Sequence, residues 1–273
     1  MKVFCILSDE RAFRSKSPAV FSHVLKQIGI RSIYVPFKVY PDDLGAAMQS
    51  IKVLNIDGVN VTVPYKEAVL PYMDVLSEGA KIVGAVNTVI RSNNTLKGYN
   101  TNAIGFMHTL EEAGFDVSDK NALVFGTGGA ARAVIFVLNW LRANSVIVAG
   151  RSPEKAKRII NKFGGEPREI ASLGSKPVSA DIVINATSVS SPEESPEMAE
   201  VVGKLNIKDC ELVVDLNYGR EESFWHSLAR SKEIRFINGL TPLAHSARQT
   251  ILLWTRVDAG PEAFVKAVEN VIY

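Results

Sequence analysis

The sequence predicts an α/β fold in two blocks, and three observations carry the prediction. Strand-like and helix-like segments alternate from one end of the chain to the other. Several strands are short, continuous apolar runs, such as Ala122-Leu123-Val124-Phe125 and Leu212-Val213-Val214. Such runs mark strands covered on both faces, as in a parallel sheet. A glycine-rich turn, Gly126-Thr127-Gly128-Gly129-Ala130-Ala131, separates one of them from a long helical stretch.

In the first block, residues 3–7 read as a strand and 18–28 as a helix, with Ser17 as its N-cap and Gly29 as its stop. Residues 32–39 form a strand, 44–51 a helix and 58–62 a strand. Short helices are expected at 66–69 and 77–82, strands at 86–91 and 95–98, and a helix over 101–112 that ends at Gly114. In the second block, strands fall at 122–125, 145–149, 182–185, 212–216 and 235–237, with helices at 130–142 and 153–163. Residues 188–198, rich in Ser, Pro and Glu, read as a loop. Residues 241–273 are helical by period, with Leu243, Ala247, Ile251 and Trp254 sharing a face. The second block ends near Gly239, so these helices are expected to pack back on the N-terminal block. The expected domains are therefore residues 1–101 with 240–273, an α/β substrate domain, and residues 102–239, a Rossmann-type doubly wound parallel sheet.

Composition narrows the class. The 273 residues are 47% hydrophobic, an ordinary globular balance with room for one large domain or two small ones. Lys and Arg exceed Asp and Glu by only 31 to 29, too little to suggest a nucleic-acid or anionic-membrane partner. No uninterrupted apolar run reaches the roughly 18 residues of a transmembrane helix. Met1 to Leu7 is apolar but short, and reads as a first strand, with a signal peptide as the weaker alternative. Cys5 and Cys210 lack CxxC spacing and sit in hydrophobic runs, which suggests free buried thiols in a reducing compartment, the cytoplasm by default. His23, His108, His226 and His245 form no spaced ligand set, so no metal is expected.

The glycine turn carries cofactor chemistry because of its place between strand and helix. Gly126 makes the tight turn, Gly128 lets the backbone approach a pyrophosphate, and Ala131 allows close helix–strand packing. The helix N-terminus then faces the phosphates. An NAD site places an acidic residue after the second strand, about 20 residues on, to hold the ribose 2′-hydroxyl. Here Arg151-Ser152 stand there, with Lys155 close behind. A guanidinium suits a 2′-phosphate, so the cofactor expected is NADP. The alternative is a solvated helix start made of Arg151, Lys155, Lys157 and Arg158. Asn185-Ala186-Thr187-Ser188 ends another strand, where ligands of open α/β sheets bind.

Three segments of the first block are unusually polar for scaffold. They are Ser15-Lys16-Ser17-Pro18, Asn60-Val61-Thr62-Val63-Pro64-Tyr65-Lys66, and the pair Ala85-Val86-Asn87-Thr88 and Gly98-Tyr99-Asn100-Thr101-Asn102. Many neutral hydrogen-bonding groups with one lysine suit a small polyhydroxylated substrate. Taken without a motif, Lys66 reads as a solvated lysine at a helix start, and Ser15 and Ser17 as capping serines.

With these segments in order, and with G-x-G-G-A-A-R and N-A-T-S at 126–132 and 185–188, the chain resembles the shikimate dehydrogenase family over nearly its whole length. The resemblance implies NADP-dependent, reversible reduction of 3-dehydroshikimate to shikimate in the chorismate pathway of aromatic amino-acid biosynthesis. It implies an N-terminal substrate domain joined by two helices to a Rossmann domain. It implies that Lys66 is the catalytic lysine, with Asn102 in the position of its usual aspartate partner. Ser15 and Ser17 would hold the substrate carboxylate and Tyr218 would add a hydroxyl to it. Thr62 and Asn87 would bind ring hydroxyls, and Ser246 stands where the family has a glutamine. Gly126, Thr127, Gly128, Gly129, Ala130, Arg151, Ser152, Lys155, Thr187 and Gly239 would serve the cofactor. The expected partners are these small molecules, in a monomer or homodimer.

The family pattern is broken at several places around one site. Asn102 cannot ionise, although its carbonyl oxygen can accept a hydrogen bond from Lys66. Loss of a negative neighbour should lower the lysine pKa. Arg14 replaces a histidine, and Tyr218-Gly219-Arg220 lacks a proline. Two alternatives to the dehydrogenase therefore stay open. One is a ligand-binding relative with little turnover, and the other a quinate-type dehydrogenase.

Overall fold

The computed structural model describes residues 1–219 and 223–272, so Arg220 lies outside the described residues. The chain divides into two compact units, Met1–Gly105 with Ala244–Tyr273, and Phe106–Leu243.

In chain order the first unit contributes β1 (Lys2–Ser8), α1 (Ser17–Gln27), β2 (Ser32–Lys38), α2 (Leu44–Val53), β3 (Gly58–Val61), β4 (Val75–Leu76), α3 (Glu78–Val83), β5 (Thr88–Ser92) and β6 (Thr95–Tyr99). Helix α4 (Thr101–Glu112) runs across the boundary. The second unit holds β7 (Asn121–Phe125), α5 (Gly129–Trp140), β8 (Ser145–Gly150), α6 (Pro153–Phe163), β9 (Glu166–Glu169), β10 (Val178–Ser179), β11 (Ile182–Asn185), α7 (Pro196–Gly203), β12 (Ile207–Lys208), β13 (Leu212–Asp215), α8 (Phe224–Ser231) and β14 (Arg235–Asn238). Helix α9 (Leu240–Thr255) crosses back, and α10 (Pro261–Ile272) follows.

The first unit is a mixed sheet in the order β2-β1-β3-β5-β6-β4. Strand β1 is parallel to β2 and β3, whereas β5 is antiparallel to β3 and β6. Its first strand is continuously apolar because both faces are covered. Cys5 and Leu7 point into a cluster with Leu44, Met48, Ile51 and Val59. Phe4, on the opposite face, stacks on Trp254 of α9 with ring centroids 4.5 Å apart. Phe21, Tyr34 and Phe264 complete that aromatic layer. The C-terminal helices thus pack on the N-terminal sheet, as their apolar face predicted. Gly58 permits the close approach, since a Cβ there would lie 2.4 Å from Trp254 Nε1.

The second unit is a six-stranded parallel sheet, β14-β13-β11-β7-β8-β9. Strand order runs outward from β7 through β8 to β9, then restarts at β11 and runs the other way. The switch point lies between β7 and β11, where open α/β sheets bind ligands at their carboxyl ends. Beneath the sheet, fully buried Trp225 meets Phe125 edge-on at 4.7 Å.

Local differences from expectation have identifiable causes. Residues 66–69 form turns rather than a helix. Ser17 is the first residue of α1, and the N-cap position belongs to Lys16, which makes no side-chain cap bond. The end of the expected loop at 188–198 is helical, because Ser195 accepts from Met198 N–H and starts α7. Strand β9, Glu-Pro-Arg-Glu, carries no apolar signal because it is an edge strand with no fully buried residue. Of the two free thiols, Cys5 is buried and Cys210 only half-buried.

Candidate active site

A hydrogen-bonded network fills the polar part of the first unit. At the start of α1, Ser15 Oγ accepts from the Ser17 N–H at 3.2 Å. The network itself begins on β2 at Tyr34, whose phenol is held well above its ordinary pKa by burial. Tyr34 donates to Asn60 Oδ1 at 2.8 Å. Asn60 and Thr88 face each other in the β3–β5 register, and Asn60 Nδ2 reaches Thr88 Oγ1 at 3.4 Å. Thr88, Thr101 and Thr250 then form a triangle of hydroxyls with separations of 3.1–3.2 Å. Thr101 Oγ1 lies 2.9 Å from Ser246 Oγ, and Ser246 donates to Asn102 Oδ1 at 3.3 Å. Asn87 closes the set, bonding both Thr101 Oγ1 and Asn102 Oδ1 from its Nδ2 at 2.9 Å.

The chain produces this by ending elements at one place. Asn100 caps α4, its Oδ1 accepting from Ala103 N–H at 3.2 Å while its Nδ2 donates to the Ala85 carbonyl at 3.0 Å. That fixes Thr101 and Asn102 in the first turn, beside the segment leading into β5. Threonines 101 and 250 are buried yet satisfied, as buried hydroxyls must be.

Lys66 is tied to the same segment through its backbone. Its carbonyl accepts from the Val86 N–H at 2.7 Å, one residue before Asn87. Burial pulls the Lys66 ammonium down from its ordinary range to about 8. The Asn102 carbonyl, which could accept from Lys66, instead accepts from Asn87 and Ser246. Thr62 is half-buried just after β3, its backbone bonded to Leu7 and Tyr65. Asn87, Asn102 and Ser246 are thus brought together, and Ser15 and Ser17 meet each other at the start of α1. Tyr34 and Thr250 were missed, whereas Asn60, Thr88 and Thr101 were read within polar segments but given no individual role. Threonines inside amphipathic helices carry no sequence mark, but the Asn60–Thr88 pairing across two polar strand ends was a usable signal.

The second unit forms the glycine site. Gly126 has φ +120°, and a Cβ there would sit 2.8 Å from the Ala186 carbonyl oxygen, so strands β7 and β11 end in near contact. Gly128 is the N-cap of α5 and offers no side-chain cap bond, while a Cβ at this position would meet nothing within 4 Å. The first turn of α5 has no side-chain cap, and the positive end of such a helix fits a pyrophosphate. Thr127 packs on Gly150, where a Cβ would be 2.7 Å from its Cγ2. Arg151 follows Gly150 and is exposed. Ser152 caps α6 by accepting from Lys155 N–H at 3.4 Å. A cavity of about 400 Å³ opens at the ends of β8 and β9, lined by Gly150, Arg151, Glu169, Ile170, Met198 and Val201. Thr187 is turned inward, donating to Asn185 Oδ1 at 2.7 Å. Gly239 packs against the segment before Tyr218; a Cβ there would be 2.2 Å from the Leu216 carbonyl oxygen.

The profile of the shikimate dehydrogenase substrate binding domain matches residues 10–89, and that of shikimate / quinate 5-dehydrogenase matches residues 109–222. The chain belongs to the shikimate dehydrogenase family. Family members similar to it include the NADP(+) shikimate dehydrogenase of Moorella thermoacetica, 36% identical over 94% of this chain and 88% of that one. The enzyme of the same name from Pyrococcus furiosus is 37% identical over 94% of this chain and 90% of its own. Among solved structures, the shikimate 5-dehydrogenase of Thermus thermophilus, in complex with NADP(H) and shikimate, is 30% identical with a TM-score of 0.86, covering 99% of this chain and all of the other.

Among the described residues, no group of His, Cys, Asp and Glu could hold a metal, and no helix is long and apolar enough to cross a membrane.

Proposed function

We propose that this chain interconverts shikimate and 3-dehydroshikimate with NADP(H), using Lys66 to take up or return the hydroxyl proton. The observation that carries this reading is the site built around Asn87. Hydroxyl and amide groups suited to a polyhydroxylated ring lie on a segment whose backbone is hydrogen-bonded to that of a lysine with its pKa depressed to about 8. Family membership supplies the reaction class, and the relatives named above carry NADP(+) in their names.

Gly126, Thr127, Gly128, Gly129 and Ala130 hold the pyrophosphate with backbone N–H groups. Arg151 reads the 2′-phosphate, Lys155 adds positive charge, and Ser152 keeps the α6 N-terminus in place for both. Thr187 and Gly239 shape the remaining wall. When bound, the cofactor supplies or accepts a hydride. Ser15 and Ser17 take the substrate carboxylate, and Tyr218 contributes a further hydroxyl to it. Thr62, Asn87 and Ser246 address ring hydroxyls. Lys66, neutral in a sizeable fraction near its pKa, accepts the hydroxyl proton in oxidation and gives it back in reduction. The two free thiols fit an enzyme of a reducing compartment, the cytoplasm.

The test is NADPH absorbance with shikimate and with quinate, each with NADP and with NAD. Turnover is expected with shikimate and NADP. Binding of NADP without turnover of either acid would make the chain a binding protein and overturn the reading.

A further inference from the structure

Two rigid facts of the backbone fix how every amide in the network is turned. The Thr101 N–H donates to Asn87 Oδ1 at 2.7 Å, so the other side-chain atom of Asn87 is its Nδ2. That Nδ2 is a donor only, so the Asn102 atom it meets at 2.9 Å is Oδ1. From the other end, Asn60 Nδ2 donates to the Asn87 carbonyl at 3.3 Å, which turns its Oδ1 toward Tyr34. The hydroxyl protons follow one direction. Asn102 Oδ1 can only accept, so Ser246 donates to it and Thr101 in turn donates to Ser246, while Thr250 gives its proton to the Ser246 carbonyl at 2.9 Å and Thr88 is left to donate to Thr101 or Thr250. The carbonyl oxygen of Asn102 therefore receives two protons from behind. Its Nδ2 has no hydrogen-bond partner among the described residues and belongs to a half-buried side chain, so it faces outward.

We infer that Asn102 presents an amide N–H to the ligand, and so reads a ring oxygen as a hydrogen-bond acceptor where an aspartate would read it as a donor. The inference rests on the proposed function for the identity of the ligand, but not for the orientation of the amide. Its consequence is specificity at one ring position. A carboxylate at 102 draws the proton of the hydroxyl it meets, and loses that bond when the hydroxyl cannot donate. An amide N–H keeps its bond to any acceptor. Besides any contact of its own with the ring, Ser246 holds the Asn102 oxygen inward, its hydroxyl being the second donor to it.

Two measurements test this. Neutron diffraction from a deuterium-exchanged crystal of the full chain reads the orientation directly. Two deuterons on the Asn102 side-chain atom farther from Asn87 are expected; deuterons on the nearer atom would overturn the inference, whatever the substrate. The second is calorimetric binding of shikimate and of its three monoketo analogues, each with a carbonyl in place of one ring hydroxyl, to the wild type and to Asn102→Asp without cofactor. At one ring position the wild type is expected to lose no more than ~3-fold in affinity while Asn102→Asp loses ~10-fold or more, the usual cost of a hydrogen bond to a charged group. Equal losses in the two proteins at all three positions would overturn the inference. Absence of shikimate binding in the wild type would overturn the specificity claim and the proposed substrate together, and the diffraction result would still decide the orientation.

Discussion

Asn87 donates its side-chain amide to Asn102 Oδ1 at 2.9 Å. The same side chain accepts from the Thr101 N–H and donates to the Thr101 hydroxyl, so one residue organises the first turn of α4. Asn87→Ala would leave a buried backbone N–H and the inward-turned Asn102 oxygen each short of a partner. The expected result is a loss of about 1–3 kcal/mol in urea unfolding together with a raised KM for shikimate. Unchanged stability would show that water replaces the amide without penalty.

Lys66 sets the expected pH dependence. Its pKa is lowered to about 8, so the neutral amine is available at a lower pH than for an ordinary lysine. Oxidation needs the neutral base, and kcat/KM for shikimate should rise with pH through about 8 and then level off. Reduction needs the ammonium, so kcat/KM for 3-dehydroshikimate should fall over the same interval. Profiles that bend in the same sense in both directions would point to a different group.

Arg151 is exposed at the start of the turn into α6 and is expected to act on the 2′-phosphate alone. Arg151→Ala should raise the Kd for NADP by ~10-fold or more, the value of a charge-assisted hydrogen bond, and leave the weaker NAD affinity nearly unchanged. Titration by NADPH fluorescence separates the two. A parallel loss for both cofactors would mean that Arg151 serves the fold.

Two glycines are required by the fold before any ligand arrives. Gly58→Ala would drive a methyl group against Trp254 Nε1, and Gly239→Ala would drive one against the Leu216 carbonyl. Each should cost about 1–3 kcal/mol in the ligand-free protein, with Gly239→Ala the worse because backbone cannot step aside. Thermal unfolding without cofactor checks this. An unchanged Tm for Gly239→Ala would return that residue to a role in cofactor binding only.

The sequence made the second unit legible because its strands are buried on both faces and its turn chemistry is local. Ile182–Asn185 and Pro153–Phe163 were foreseen to the residue. Edge strand β9 was hidden, since half-exposed residues carry no apolar pattern. The site was legible where motif residues are contiguous, as in Asn60–Lys66 and Ala85–Thr88. It was illegible where function depends on pairing over distance. Thr250 meets Thr88 across 162 residues, and no local spacing announces that contact. The state of Asn102 belongs to the same class. Its residue type was visible, but which of its two polar atoms faces outward is decided by Asn87 and Ser246.

The turnover number for shikimate with NADP, measured for the wild type beside Lys66→Ala, decides whether Lys66 drives this reaction. Turnover in the wild type that falls by ~100-fold or more in the variant, with NADP affinity unchanged, is the expected result. NADP binding without turnover in the wild type, or full activity in Lys66→Ala, would contradict it.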